Sequence, residues 1–119
     1  MSDIIPRLVL CDNHRMPVIG LGTGGFQISG EMAKTAVIEA IKVGYRHFDT
    51  ASLYGTEQAL GEAIEEALKL GLIGSREELF ITTKLWFNDA HHDRVFPAMQ
   101  KSLGSAQKLF VFCLCLQNF

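Results

Sequence analysis

A short β-prone run followed by apolar residues recurring every three or four positions occurs three times in this chain, and that alternation constrains the fold most. The first run, residues 16–19, leads through a glycine-rich stretch to Ala33, Ala36, Val37, Ala40 and Ile41, which share one helical face. Ser29 or Gly30 is suited to cap that helix, and Gly44 to end it. Residues 45–48 form the second run, ending at Asp49. A helix from near Thr56 follows, with the stripe Leu60, Ile64, Ala67 and Leu68 and a stop at Gly71. Ser75-Arg76-Glu77-Glu78 has capping-box spacing and predicts one helical turn. Residues 79–83 are the third run, closing at Lys84. The helix after it is predicted to begin near Asp93, with Phe96, Met99 and Leu103 on its buried face. Pro97 then falls in the first turn, where its missing N–H has no intrahelical partner to lose. Ahead of these units, residues 8–10 and 16–19 flank the polar Cys11-Asp12-Asn13-His14, the pattern of a hairpin. A β-hairpin followed by β-α-β-α-β-α predicts an α/β fold, a parallel sheet with helices packed outside it. Doubly wound sheets and closed barrels both begin in this way.

Composition removes several function classes. The 119 residues are 48% hydrophobic with a net charge of −2, the balance of a globular chain. No basic face is available, so no nucleic-acid partner is expected. The longest apolar run, residues 109–116, falls well short of the roughly 20 a membrane helix needs, so no membrane partner is expected either. The opening MSDIIPRLVL is too short and mixed for a signal peptide. Cys11, Cys113 and Cys115 make an odd count with no ligand spacing, which predicts reduced thiols and a cytoplasmic protein. His91 and His92 are adjacent, so their side chains diverge; with no third ligand suitably spaced, no metal site is expected.

Gly20, Gly22 and Gly25 match G-x-G-x-x-G, and Asp49 ends the following strand, as a dinucleotide-binding fold requires of its ribose-binding acid. That mechanism needs the glycines to open the helix, so that its first amides face the pyrophosphate. Here Phe26-Gln27-Ile28-Ser29-Gly30 intervenes, which holds the phosphates away from the helix end and argues against that reading.

Longer motifs carry more information. Gly44-Tyr45-Arg46-His47-Phe48-Asp49-Thr50-Ala51-Ser52-Leu53-Tyr54-Gly55-Thr56-Glu57-Gln58-Ala59-Leu60-Gly61 resembles the signature of the aldo-keto reductases along its whole length. Thr83-Lys84-Leu85-Trp86 resembles the second motif of that family, and Pro17-Val18-Ile19-Gly20-Leu21-Gly22-Thr23 its first barrel strand and loop. The resemblance runs from about Leu8 to Leu103 and is nearest the plant branch that includes chalcone, codeinone and methylecgonone reductases. It implies a hairpin plus the first three β/α units of a (β/α)8 TIM barrel, incomplete here, with residues 1–103 as that part and 104–119 as a divergent tail. It also implies NADPH as cofactor, a small-molecule carbonyl substrate, and a monomer for the full-length family. Asp49, Tyr54 and Lys84 are the catalytic residues so implied, Gly22, Thr23 and Asp49 the cofactor contacts, and Trp86 a substrate-pocket aromatic.

These residue types suit the chemistry. Reducing a carbonyl needs a hydride donor and a proton for the developing alkoxide. Tyrosine, with an ordinary pKa of about 10, is a weak acid for that task unless an ammonium stabilises the phenolate left behind. Tyr54 is therefore assigned as proton donor, Lys84 as the ammonium beside it, and Asp49 as the carboxylate holding Lys84. In a parallel barrel the ends of neighbouring strands converge on one mouth, which is where Asp49, Tyr54 and Lys84 fall. Taken singly, Asp49 also reads as a loop cap, Tyr54 and Trp86 as core aromatics, and Lys84 as a solvated strand end. Their joint spacing favours the site.

The family pattern continues into a fourth strand ending in a His-Trp-Pro-like motif, whose histidine polarises the carbonyl. Residues 104–119 carry no such motif, and none of His14, His47, His91 and His92 stands in that position. A barrel takes about 250 residues and about eight strands. Weak or lost turnover is accordingly expected, with the apolar tail able to add a strand beside residues 79–83. An open sheet edge also predicts self-association or pairing with a partner. A non-catalytic isoform, or a product with no independent function, is the competing expectation.

Overall fold

The computed structural model describes residues 5–11, 13–25, 28–105 and 112–116, with Phe87, Ser105 and 112–116 described by backbone alone. Strands β1 (Arg7–Val9) and β2 (Arg15–Pro17) pair antiparallel, Val9 opposite Arg15. Asn13 in the turn between them has φ 67°, and the Leu10 N–H donates to the His14 carbonyl at 2.8 Å. The predicted hairpin is present; Asp12 of its turn lies outside the described residues.

Strands β3 (Leu21–Gly22), β4 (His47–Asp49), β5 (Phe80–Leu85) and β6 (Phe112–Leu116) form one sheet in that order, every pair parallel. Helices α1 (Gly30–Val43), α2 (Glu57–Lys69) and α3 (Val95–Ser105) alternate with them. The α/β alternation read from the sequence is thus the alternation of the fold. The expected strand beside residues 79–83 is β6, whose backbone runs from Phe112 opposite Ile81 to Leu116 opposite Leu85. The rest of the tail, residues 106–111 and 117–119, lies outside the described residues, as do the side chains of Cys113 and Cys115. Cys11 is exposed and free. Among the described residues no helix is long and apolar enough to cross a membrane.

The Ser29 side chain accepts the Met32 N–H at 3.2 Å, satisfying one orphan donor of α1. At the other end Gly44, at φ 111°, takes a conformation costly for residues with a Cβ, and its N–H reaches the Ala40 and Ile41 carbonyls. Val37 and Ile41 from α1, Leu60 and Ile64 from α2, and Phe48 and Ile81 from the sheet make the core. Each of these sits on the face its period predicts.

Two predicted core positions are corrected. Ala36 is exposed: it lies at the margin of the α1 stripe, beside β3, which has one strand neighbour among the described residues. Phe96 is 61% exposed. The inward face of α3 is instead Val95, Ala98, Met99, Ser102 and Leu103, a stripe centred on a buried serine that a count of apolar residues passes over. The turn at Arg76–Glu78 forms as predicted, but the Glu78 carboxylate accepts from the Gly74 N–H at 2.7 Å and Ser75 makes no capping bond.

Strand geometry then divides the sheet. Phe48 and Ile81 face the helices, so the period of two turns His47, Asp49, Thr82 and Lys84 to the opposite face. There the His47 ring meets the Thr82 hydroxyl at 3.1 Å and the Pro17 carbonyl at 2.9 Å, tying the hairpin to the sheet.

Candidate active site

Asp49 is the last residue of β4, Lys84 the last but one of β5, and Tyr54 ends a 3-10 turn, Ser52–Tyr54, in the loop after β4. Parallel strands deliver all three to one rim. The Lys84 ammonium donates to Asp49 Oδ2 at 2.6 Å, to the Thr50 carbonyl at 3.1 Å and to Tyr54 Oη at 3.5 Å. An ammonium has three N–H groups, and each has an acceptor here. Its Nζ also stands 5.1 Å from the centre of the Tyr54 ring.

Burial alone pushes Lys84 towards the neutral amine. The Asp49 hydrogen bond and charge, with Tyr54 adding to them, outweigh burial and raise its pKa above the ordinary 10.5. Lys84 is therefore held as a cation beside the phenol oxygen. Its side chain is 19% exposed and that of Asp49 38%, so the pair is open to a bound molecule at the Asp49 side.

The loop carrying Tyr54 is fastened to its surroundings. The Thr50 N–H donates to the Thr82 carbonyl at 2.7 Å, and the Ser52 hydroxyl to the Lys84 carbonyl at 3.2 Å. Gly24 lies flat against the phenol ring: a Cβ there would come within 2.9 Å of Tyr54 Cε2 and Cζ. Its lack of a side chain gives the ring its space. The sequence shows a run of glycines but not which of them touches the Tyr54 ring.

Gly22 pairs with Asp49 in register, and a Cβ on it would meet nothing within 4 Å, so the space beside it is open. Thr23 is buried, and both its donors turn inward: its N–H and hydroxyl reach the Asp49 carbonyl at 2.9 and 3.2 Å. The Thr56 hydroxyl lies 3.0 Å from that of Thr23 and, since the Thr23 proton is already used, is the donor between them. Gly22 and Thr23 are thus brought beside Asp49.

Trp86 follows β5 and is half-buried. With Leu53, Gln58, Asp89 and Lys101 it lines a cavity of about 350 Å³ whose walls do not include Asp49, Tyr54 or Lys84. Glu57, Thr83 and Ser102 form a buried polar cluster that motif reading left unassigned. His91 and His92 are exposed, and among the described residues no three His, Cys, Asp or Glu side chains group as metal ligands. The glycine run enters β3 and α1 starts only at Gly30, which agrees with setting aside the dinucleotide-fold reading. Phe26 and Gln27, in the intervening segment, lie outside the described residues.

Asp49, Tyr54 and Lys84 thus meet at one rim of a parallel α/β sheet, and comparison with known proteins gives the family. The sequence pattern described as "Aldo/keto reductase family" matches residues 18–109, and the chain belongs to that family. Over 103 residues it is 56% identical to NADPH-dependent codeinone reductase 1-4 of Papaver somniferum, covering 86% of this chain and 32% of that protein. It is 57% identical over 98 residues to the 7-acetyl-epi-neemfruitin B aldo-keto reductase of Melia azedarach, covering 82% of this chain and 30% of that protein. Among solved structures, an aldo-keto reductase of Bombyx mori in complex with NADP superposes with a TM-score of 0.82 at 39% identity, covering 91% of this chain and 37% of that one. The chain spans about a third of the length of the curated relatives it matches, coverage of 32% for the codeinone reductase. Its fold is the opening part of a (β/α)8 barrel, unclosed among the described residues.

Proposed function

We propose that this chain carries the proton-donating part of an NADPH-dependent reductase that converts an aldehyde or ketone to an alcohol. The observation that supports it is the Lys84 ammonium lying between the Asp49 carboxylate and the Tyr54 phenol. Tyr54 Oη gives its proton to the carbonyl oxygen as negative charge develops there, and Lys84 stabilises the phenolate that remains. Asp49 holds Lys84 in place and keeps it charged.

The residues fit the nicotinamide end of the cofactor. A carboxylate accepts about four hydrogen bonds, so Asp49 Oδ1 is suited to a ribose hydroxyl while Oδ2 serves Lys84. The open space at Gly22 and the Thr23 carbonyl suit the backbone side of that cradle. When bound, NADPH supplies the hydride for the carbonyl carbon. Trp86 is assigned as an aromatic wall for the substrate. Turnover by these 119 residues alone is expected to be weak, because the sheet is unclosed among the described residues.

The test follows NADPH absorbance with a panel of aldehydes and ketones. Oxidation abolished by Tyr54→Phe supports the reading; a rate indifferent to that change sinks it.

A second reading has its own observation. Leu21, Ile28, Met32 and Ala36 line an apolar groove of about 140 Å³ beside β3, suited to association without catalysis. Chromatography with a full-length homologue tests it, and absence of any complex removes it.

A further inference from the structure

Glu57 is a carboxylate only 8% exposed, in the first turn of α2. Thr83 Oγ1 of β5 donates to its Oε2 at 2.8 Å, and Ser102 Oγ of α3 donates to its Oε1 at 3.0 Å. Burying a carboxylate is costly, and apolar side chains of similar volume would join these three elements without that cost. What they would lack is direction. Dispersion contacts tolerate sliding, whereas two charge-assisted hydrogen bonds to separate oxygens fix the carboxylate plane and its height along β5.

The chain positions joined are the informative part. Glu57 is three residues beyond Tyr54, and Thr83 immediately precedes Lys84. The loop and the start of α2 meet β5 at three consecutive residues: the Thr50 N–H donates to the Thr82 carbonyl, the Thr83 hydroxyl to Glu57, and the Ser52 hydroxyl to the Lys84 carbonyl. By contrast the Lys84–Tyr54 contact, at 3.5 Å, sits at the outer limit of a hydrogen bond and cannot set its own geometry.

We infer that Glu57 is a positioning residue for the Tyr54–Lys84 pair, acting through the Thr83 hydroxyl and braced by Ser102. The inference rests on the reductase reading for its functional half, and its geometric half can be measured without turnover. In the full chain, the nuclear Overhauser cross-peak between the Lys84 ε-methylene and the Tyr54 ring reports the pair directly. Thr83→Val removes one donor at constant shape and leaves Glu57 bonded to Ser102, while Glu57→Gln keeps the shape and removes the charge.

In both variants, once a cooperative melt shows them folded, the cross-peak is expected to weaken severalfold, and Thr83→Ser to restore it. A misplacement of that kind lowers kcat by about tenfold or more, with KM for NADPH unchanged. A cross-peak of parental strength in folded Thr83→Val overturns the clamp. Absence of Tyr54-dependent turnover in the parent, with the cross-peak still sensitive to Thr83→Val, overturns the functional half alone.

Discussion

At the scale of single residues, Lys84 makes stability depend on pH. Its folded pKa is raised above the ordinary 10.5, so the stability it contributes is fully present below that value and is lost as pH rises through the folded one. Lys84→Met should therefore lower stability near neutrality, by roughly 1 kcal/mol or less given solvent screening. Urea melts should show the parent and variant converging as pH climbs above 10.5. Gly24 makes a different prediction. A methyl group there meets the Tyr54 ring at 2.9 Å, and the ring is the part free to move. Gly24→Ala should cost turnover while leaving the melting temperature nearly unchanged, as parallel kinetics and calorimetry would show. The meeting of Asp49, Tyr54 and Lys84 is legible in the sequence because two motifs carry them in order, on neighbouring strands and the loop after β4. The contacts of Gly24, Ser52 and Glu57 are not, because each matters through a partner far away in sequence.

Among the elements, α2 places seven buried residues against its neighbours. Leu60 is 1% exposed between α1 and the sheet, with Phe48 and Ile81 in the same core. Leu60→Ala should cost about 2–5 kcal/mol, the lower end if neighbouring side chains collapse into the space; denaturant melts measure it. Helix ends were readable because their signals are local: Ser29 and Gly44 act on backbone groups within one turn. Helix faces were less so. Apolar character predicts Phe96 inside, yet the buried place on α3 goes to Ser102, because the Glu57 carboxylate on another helix accepts from its hydroxyl.

For the whole molecule, the sheet decides behaviour. Strands β3 and β6 each have one partner among the described residues, and Met32, 62% exposed, stands over the apolar groove beside β3. An open edge with an uncovered apolar groove favours association. Sedimentation velocity should show larger species growing with concentration, and Met32→Asp should shift the distribution back towards monomer. A single monomeric species across the concentration range would contradict this.

The sequence alone determined the alternation of strands and helices, most of their ends, the strand-end placement of Asp49 and Lys84, and the loop placement of Tyr54. Those follow from periodicity, capping and chain order, which act over a few residues. Only the tertiary structure decided that Thr83 and Ser102, 26 and 45 residues from Glu57, close on its carboxylate. It alone set Gly24 against the Tyr54 ring and paired Phe112–Leu116 with β5. Such contacts join segments whose own neighbours carry no record of one another, and they exist only once the strands have brought those segments together.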